Sequence, residues 1–447
     1  MKKIFISLLL IGFLKSVLLA HLIPPWNSED ELHHWGYADA LWRNNTVLLN
    51  EDQEYLSQGA LDFYTETNGK TLKKDELIKI DSEVRDRRLE VSSTHHLSTT
   101  YQPPLYYLPI SWLWRFIGND SILSSLYWAR ATSAVWYVLT LGGLWKLSGV
   151  LRVRWKYQVL TLIVGLGWPQ FSFLGSVVNP HIAEICLFTW GTFLLVQAIK
   201  LKFTWKISLF VGLNLLGLML LKHTSIIYAI LVGGAILWSW RKNLLTIKET
   251  LIRLGYFGLI GIIGLYPYKL INENNVYLSY RDDLLPLSIS NYLLDTWNSQ
   301  KEWLLEGFWE VRVSSVFGAG SPWIIIGVVL MVVSLIGVGM KIYKKKSCSD
   351  ELYVLAIGFV GAGLLNLMLL YWGYLNTTTQ GVTWLKGRYW LSAIPMYLII
   401  ARYGLAQVIR GKEYRKLFSL LVFLWILSYQ VVSWITLLIS FYLLRLL

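Results

Sequence analysis

Apolar runs long enough to span a bilayer recur along the whole chain, and they constrain its fold more than any other feature. A spanning helix needs about 20 mostly apolar residues. Such runs lie at 3–22, 122–145, 157–178, 181–199, 207–221, 224–240, 254–271, 322–340, 351–374, 389–403 and 417–441. Charged residues make up only 15% of the chain, where a soluble domain carries about 25%. The expected fold class is therefore all-α, a polytopic transmembrane bundle of about 11 spans forming one domain over 1–447.

The formal charge of +13 does not point to nucleic acid. Basic residues fall in short clusters between the apolar runs, as in cytoplasmic loops, rather than on one soluble face. The first run follows Met1-Lys2-Lys3 and reads as a retained helix rather than a signal peptide. Lys15 interrupts its apolar stretch, and Leu22-Ile23-Pro24-Pro25 offers no small-residue cleavage site. Cys186 lies in an apolar run and Cys348 in a basic loop, which excludes a disulfide framework and a cysteine zinc site.

Charge also orders the topology. With the N-terminus inside, the loop 23–102 lies outside. The next apolar piece, 104–117, opens with Pro104, carries Arg115 and is too short to cross comfortably. If it stays on the outer side, five basic clusters fall inside: Lys146 to Lys156, Lys200 to Lys206, Arg241 to Arg253, Lys341 to Lys346, and Arg402 to Lys416. If it crosses, all five move outside, against the positive-inside rule. The segment is therefore expected to be juxtamembrane or half-inserted. A second long external loop covers 272–320, with short external turns at 179–181, 222–224 and 375–388. Inside there are only short loops. Within the first external loop, 30–43 and 72–90 have the mixed pattern of short amphipathic helices.

The polar chemistry gathers at the external ends. The first loop opens Glu29-Asp30-Glu31-Leu32-His33-His34-Trp35. Crowded carboxylates raise one another's pKa and suit proton acceptance. The same residues also suit a solvated helix start, with Asp30 or Ser28 as N-cap and Glu31 in the first turn. The loop returns through His95-His96 and Gln102-Pro103-Pro104-Leu105-Tyr106-Tyr107, where the tyrosines fit an interfacial aromatic belt. Asp30, His34 and Glu184 are candidates for a divalent metal ion, although adjacent histidines point apart on a helix. Asn179-Pro180-His181, Lys222-His223 and Lys386-Gly387-Arg388-Tyr389 add polar groups at other helix ends. Each alone suits snorkelling or capping; together they would surround one vestibule.

In this order the motifs resemble those of the GT-C membrane glycosyltransferases, which take a sugar from a polyprenyl-phosphate carrier. That class includes protein O-mannosyltransferases and the lipid A aminoarabinose transferase. The likeness is to a bacterial branch whose first loop reads P-D-E-P-A-H-F. Asp30-Glu31, His34 and Trp35 keep the pattern, while Glu29, Leu32 and His33 depart from it. Gln102 to Tyr107 resembles the Q/H-P-P-L-Y-Y return, and Ala129-Arg130-Ala131-Thr132-Ser133 an R-L-x-S helix start. Pro169-Gln170-Phe171 to Asn179 resembles P-x-F…N-D, with Pro180 in the acidic place and Glu184 as its possible substitute. Leu220-Leu221-Lys222-His223-Thr224, Gly307-Phe308-Trp309 with Phe317-Gly318, and Gly387-Arg388-Tyr389 with Pro395 complete the set.

The resemblance implies sugar transfer at the extracytoplasmic face of the cell membrane, from a polyprenyl-phosphate sugar donor to an envelope acceptor, with inversion. Asp30 would be the general base, with Glu31 beside it. Arg388 with Lys386 or Lys222 would stabilise the leaving phosphate. His34, Trp35, His96, Gln102, Tyr106, Tyr107, Asn179, His181 and Tyr389 would line the substrate site. The other readings are a transporter or flippase of lipid-linked sugars, which would usually carry inverted repeats not seen here, a polymerase or ligase that moves whole oligosaccharides, and a catalytically dead scaffold, for which the missing acid at Pro180 speaks.

Overall fold

The described apolar runs fold as helices that go back and forth between two ends of a bundle. The computed structural model describes residues 2–273 apart from short gaps, together with 322–343 and most of 404–438. The spans expected at 351–374 and 389–403, almost all of the loop 272–320, and Cys348 lie outside the described residues.

Helix α1 (Lys2–Leu22) buries a narrow stripe of Gly12, Ser16, Leu19 and Ala20. Its remaining apolar surface, including Leu10, Ile11, Leu14 and Leu18, is exposed. This outward display suits lipid and would be a liability in water. Four described helices are long and apolar enough to cross a membrane: Lys2–Leu22, His181–Lys200, Ile247–Pro267 and Glu413–Val432.

Between α1 and α6 in sequence, the chain forms a folded layer at one end of the bundle, the outer layer. It comprises α2 (Glu31–Arg43), β1 (Tyr55–Ser57), α3 (Gln58–Thr67), α4 (Lys74–Val84), a 3-10 turn (Arg85–Leu89), β2 (Val91–His96), a second 3-10 turn (Pro104–Tyr106) and α5 (Leu108–Ile117). The helix expected over 30–43 is α2, and that over 72–90 is α4 with its 3-10 extension. Strands β1 and β2 pair antiparallel, Tyr55 with His96 and Ser57 with Val91. This small sheet is an addition to the all-α expectation. At the layer's centre Arg88 lies among the rings of Trp35, Trp42 and Trp114, at 5.3, 4.4 and 5.3 Å from their centroids. Its Nε donates to Asp39 Oδ1 at 2.9 Å, while Arg43 donates to Asp39 Oδ2 at 2.9 Å.

This layer grips the start of α6 (Ile122–Val150). Asp81 accepts from the Leu123 N–H at 2.9 Å. Trp35 and Trp114 both donate to Ser125, at 3.2 and 3.1 Å. At 29 residues, α6 is about 43 Å long by its 1.5 Å rise, against about 30 Å of hydrocarbon. Its first turns therefore extend into the outer layer. The Tyr106 hydroxyl meets Ser133 and Trp114 meets Ser125, so α5 climbs antiparallel along that extension. With 10 residues it reaches about 15 Å, too short to cross.

Then follow α7 (Trp155–Gly167), α8 (Pro169–Leu174), α9 (His181–Lys200), α10 (Trp205–Met219), α11 (Ile226–Arg241) and α12 (Ile247–Glu273), with later helices Pro322–Tyr343 and Lys412–Leu438. The single segment expected over 157–178 is broken. Pro169 has no N–H and disfavours helical backbone before it, and Trp168 is extended at ψ 113°. The break leaves carbonyls to be satisfied. Lys15 donates to Leu166 O, to Ser172 Oγ at 2.7 Å and to Gln430 Oε1 at 2.9 Å on the last helix.

The two ends differ in charge. Lys200 donates to Val150 O and Arg253 Nε to Phe203 O at 3.0 Å, which brings together the ends of α6 and α9 and the ends of α9 and α12. Lys146, Arg154, Lys156, Lys202, Lys206, Arg241, Lys242 and Lys248 belong to the same end. The outer layer, the C-terminus of α1 and the starts of α9 and α11 lie at the other.

Candidate functional site

Five stretches that are far apart in sequence meet at the end opposite the basic clusters. The first link is an ion pair between the start of α2 and the third turn of α6. Arg130 Nε and Nη2 donate to the two oxygens of Glu31 at 2.9 and 2.7 Å, with neither side chain exposed. Arg130 also donates to Ala20 O and Ile23 O, each at 2.6 Å, and to Pro24 O at 3.0 Å. These carbonyls close α1, where a helix lacks internal donors. Glu31 Oε1 further accepts from the Val178 N–H at 3.0 Å. One buried pair thus ties α1, α2, α6 and the turn after α8.

That turn, 175–180, is packed tightly. A Cβ on Gly175 would lie 2.8 Å from Tyr137, and Ser16 donates to Gly175 O at 2.5 Å. The Asn179 N–H donates to the Tyr106 hydroxyl at 2.9 Å, and Asn179 Oδ1 accepts from the His181 N–H at 3.0 Å. Burial pushes the Tyr106 phenol above its ordinary range, against the lowering effect of its bonds to Ser133 and Asn179.

Beside it, His34 Nδ1 lies 2.8 Å from the Tyr107 hydroxyl, which donates to Gln102 Oε1 at 3.3 Å. Tyr37 donates to Gln102 O at 3.0 Å. Tyr106 and Tyr107 are fully enclosed, which corrects the expectation of an interfacial belt: their hydroxyls have partners inside the protein, so neither ring faces lipid.

The third group joins α9 to the end of α10. His181 Nδ1 lies 3.0 Å from Glu184 Oε2, and Lys222 Nζ lies 3.0 Å from His181 Nε2. All three residues are buried. The Leu105 N–H to Leu220 O bond at 3.4 Å brings the return segment to the same place.

Asp30 differs from its neighbour. It occupies the N-cap position of α2 in left-handed backbone, φ 62°, and its side chain makes no capping bond. Aspartate tolerates that region better than most residues. Asp30 is exposed, whereas Glu31 is sealed by Arg130. Of Asp30 and Glu31, Asp30 is therefore the one whose surface reaches solvent. Trp35 is fully enclosed and meets Trp26 edge-on, so it anchors α2.

Among the described residues no three His, Cys, Asp or Glu side chains gather as a metal site. Of the three metal candidates, His34 and Glu184 meet Tyr107 and His181 instead. His96 sits in β2; Lys386, Arg388 and Tyr389 lie outside the described residues. Arg130 is the participant that residue patterns single out least. Its signal is a lone cation in an apolar run, which demands a partner. No protein-family model matches the sequence, and no curated protein is similar to it.

Proposed function

We propose that the protein is a GT-C-type glycosyltransferase of the cell membrane, a multi-pass bundle of about 11 spans. It moves a monosaccharide from a polyprenyl-phosphate carrier to an envelope acceptor at the extracytoplasmic face. One observation carries this reading: the loop opening, the Gln102–Tyr107 return, Arg130, the 178–181 turn and Lys222 converge at the end opposite the exposed basic clusters. The positive-inside rule puts that end outside, where lipid-linked monosaccharides serve as donors.

The acceptor hydroxyl attacks the anomeric carbon as its bond to the phosphate oxygen breaks. Asp30 takes the hydroxyl proton; the electron pair leaves on polyprenyl phosphate; the anomeric configuration inverts. Glu31, fixed by Arg130, holds the start of α2 and so the height of Asp30. Lys222, Lys386 and Arg388 stabilise the charge that develops on phosphate. His34, Gln102, Tyr107, Asn179 and His181 shape the surroundings of Asp30. A divalent ion, if one assists, would be held by Asp30 with His34.

Purified wild type and Asp30→Asn, assayed against radiolabelled polyprenyl-phosphate monosaccharides and envelope extract, test the proposal. Transfer by wild type and loss of at least about 100-fold in the mutant is the expected result, as for removal of a general base. Repeating the assay with EDTA, then with added magnesium or manganese, decides the metal. Consumption or translocation of a lipid-diphosphate oligosaccharide, with no monosaccharide transfer, would overturn the proposal in favour of a polymerase or flippase.

A further inference from the structure

We infer that Glu184 is a positioning residue for Lys222, acting through the imidazole of His181. The geometry stands on its own; only its catalytic consequence rests on the transfer reaction proposed above.

His181 and Glu184 share the first turn of α9, three residues apart, and Lys222 follows the end of α10. The two contacts are each 3.0 Å. The residues are 5%, 6% and 5% exposed, so the protein, rather than bulk water, sets their hydrogen bonding. A lysine ammonium has donors and no acceptor. The His181 nitrogen it meets, Nε2, must therefore accept. The ring proton then sits on Nδ1, where it donates to the Glu184 carboxylate. The reverse tautomer would set an N–H against the ammonium and leave the carboxylate facing a lone pair. A buried polar group left unsatisfied in this way costs about 1–3 kcal/mol.

The ring is fixed at its backbone as well. The His181 N–H donates to Asn179 Oδ1, and the Asn179 N–H donates to Tyr106, which meets Ser133 on α6. The imidazole is thus a rigid acceptor held from two sides. Lysine by itself is a point charge on a flexible four-carbon stem. Here its charge is tied to a fixed nitrogen, and the Glu184 carboxylate balances it within the same buried group. A cation already in place stabilises developing negative charge without reorganising. Glu184 thereby takes a role different from that of a metal ligand: it sets the tautomer that aims Lys222.

Selective 15N-histidine labelling of the full-length protein in detergent reads the tautomer directly. His181→Asn identifies the signals by their loss. In wild type, Nδ1 should carry the proton and Nε2 should not. Glu184→Ala should shift the proton toward Nε2 or mix the tautomers, whereas Glu184→Gln, which keeps an acceptor oxygen, should retain the wild-type pattern. Where Glu184→Ala does not yield a monodisperse protein, Lys222→Met carries the test. Losing the donor to Nε2 should move the Nε2 signal and leave Nδ1 protonated. A protonated Nε2 in wild type, or identical patterns in wild type, Glu184→Ala and Lys222→Met, would overturn the inference. With the donor that wild type turns over, Glu184→Ala should lower kcat by about 10-fold or more, the usual effect of losing an orienting partner. Its KM should change less, and Glu184→Gln should recover most of the loss. An unchanged kcat in a variant whose tautomer has moved would overturn the catalytic consequence. The expected tautomer pattern in a wild type that transfers no sugar would leave the positioning role standing and remove the transferase reading instead.

Discussion

At the basic end of the bundle Lys146, Arg154, Lys156, Lys202, Lys206, Arg241, Lys242 and Lys248 are all exposed. At the opposite end Glu31, Arg130, Asp39 and Arg88 are at most 1% exposed. The chain treats the same chemical groups in two ways. An exposed cation keeps its hydration; its energetic effect on folding is small, but it biases which side of the membrane a loop occupies. A buried ion loses several kcal/mol of hydration and is retained only with close partners. Exposed cations at one end leave folding almost untouched, whereas the buried ions at the other hold its elements together.

This contrast is broken most directly at Arg130. Arg130→Met leaves Glu31 buried without its cation and strips donors from Ala20, Ile23 and Pro24. Truncating one partner of a buried pair costs about 3–5 kcal/mol, so thermal unfolding in detergent should fall by the largest margin of any change considered. Glu31→Leu combined with Arg130→Met should recover part of that loss, because no charge is then stranded. A single mutant that melts like wild type would show that the buried pair does not hold the site end together.

Much of the bundle was legible in the sequence because apolar length is a local property. The runs at 3–22, 181–199 and 224–240 match α1, α9 and α11 closely. Pro169 was also visible, but whether a proline kinks or breaks a helix depends on what satisfies the freed carbonyls. Here Lys15, over 150 residues away, does so. The outer layer was legible only in part. Its amphipathic helices α2 and α4 show in their patterns, while the pairing of Tyr55–Ser57 with Val91–His96 joins segments with little signal of their own. The site follows the same division. Residue types marked Asp30, His34, Tyr107, His181 and Lys222. They did not distinguish exposed Asp30 from sealed Glu31, since that depends on Arg130, which is 99 positions away. They did not reveal the Glu184–His181–Lys222 chain either, because Lys222 lies beyond the end of α10, 41 positions from His181.

A smaller effect is expected at Tyr106. Tyr106→Phe removes the acceptor of the Asn179 N–H and the partner of Ser133, a loss of about 1–3 kcal/mol for buried groups left unsatisfied. The same substitution sharpens a pH test. Burial raises the Tyr106 phenol above its ordinary value of 10.0, and burial with the nearby Glu54 does the same to Tyr37. Such a group stays protonated in the folded chain after it has ionised in the unfolded one. Its contribution is complete below pH 10 and is lost as the pH rises beyond it. Unfolding followed from neutral to strongly alkaline pH should show this decline in wild type and a shallower one in Tyr106→Phe. Equal slopes would mean that the Tyr106 hydroxyl is not sealed from solvent.

The smallest effect on stability is expected at the basic end, where orientation should respond instead. Lys200, Lys202 and Lys206 replaced together by glutamine should shift unfolding by no more than about 1 kcal/mol, as for exposed charges. Orientation can be read with a cysteine placed at Asn27 and a membrane-impermeant thiol reagent on intact cells. With one cluster neutralised, the remaining clusters should still hold the site end outside. With Arg241, Lys242 and Lys248 also neutralised, a measurable share of chains should lose labelling, since the bias grows with the number of cations near the helix ends. Full labelling after both changes would mean that the outer layer, with its buried Arg88–Asp39 and Arg130–Glu31 pairs, imposes orientation as well as shape. The division of labour between the two ends would then be one-sided.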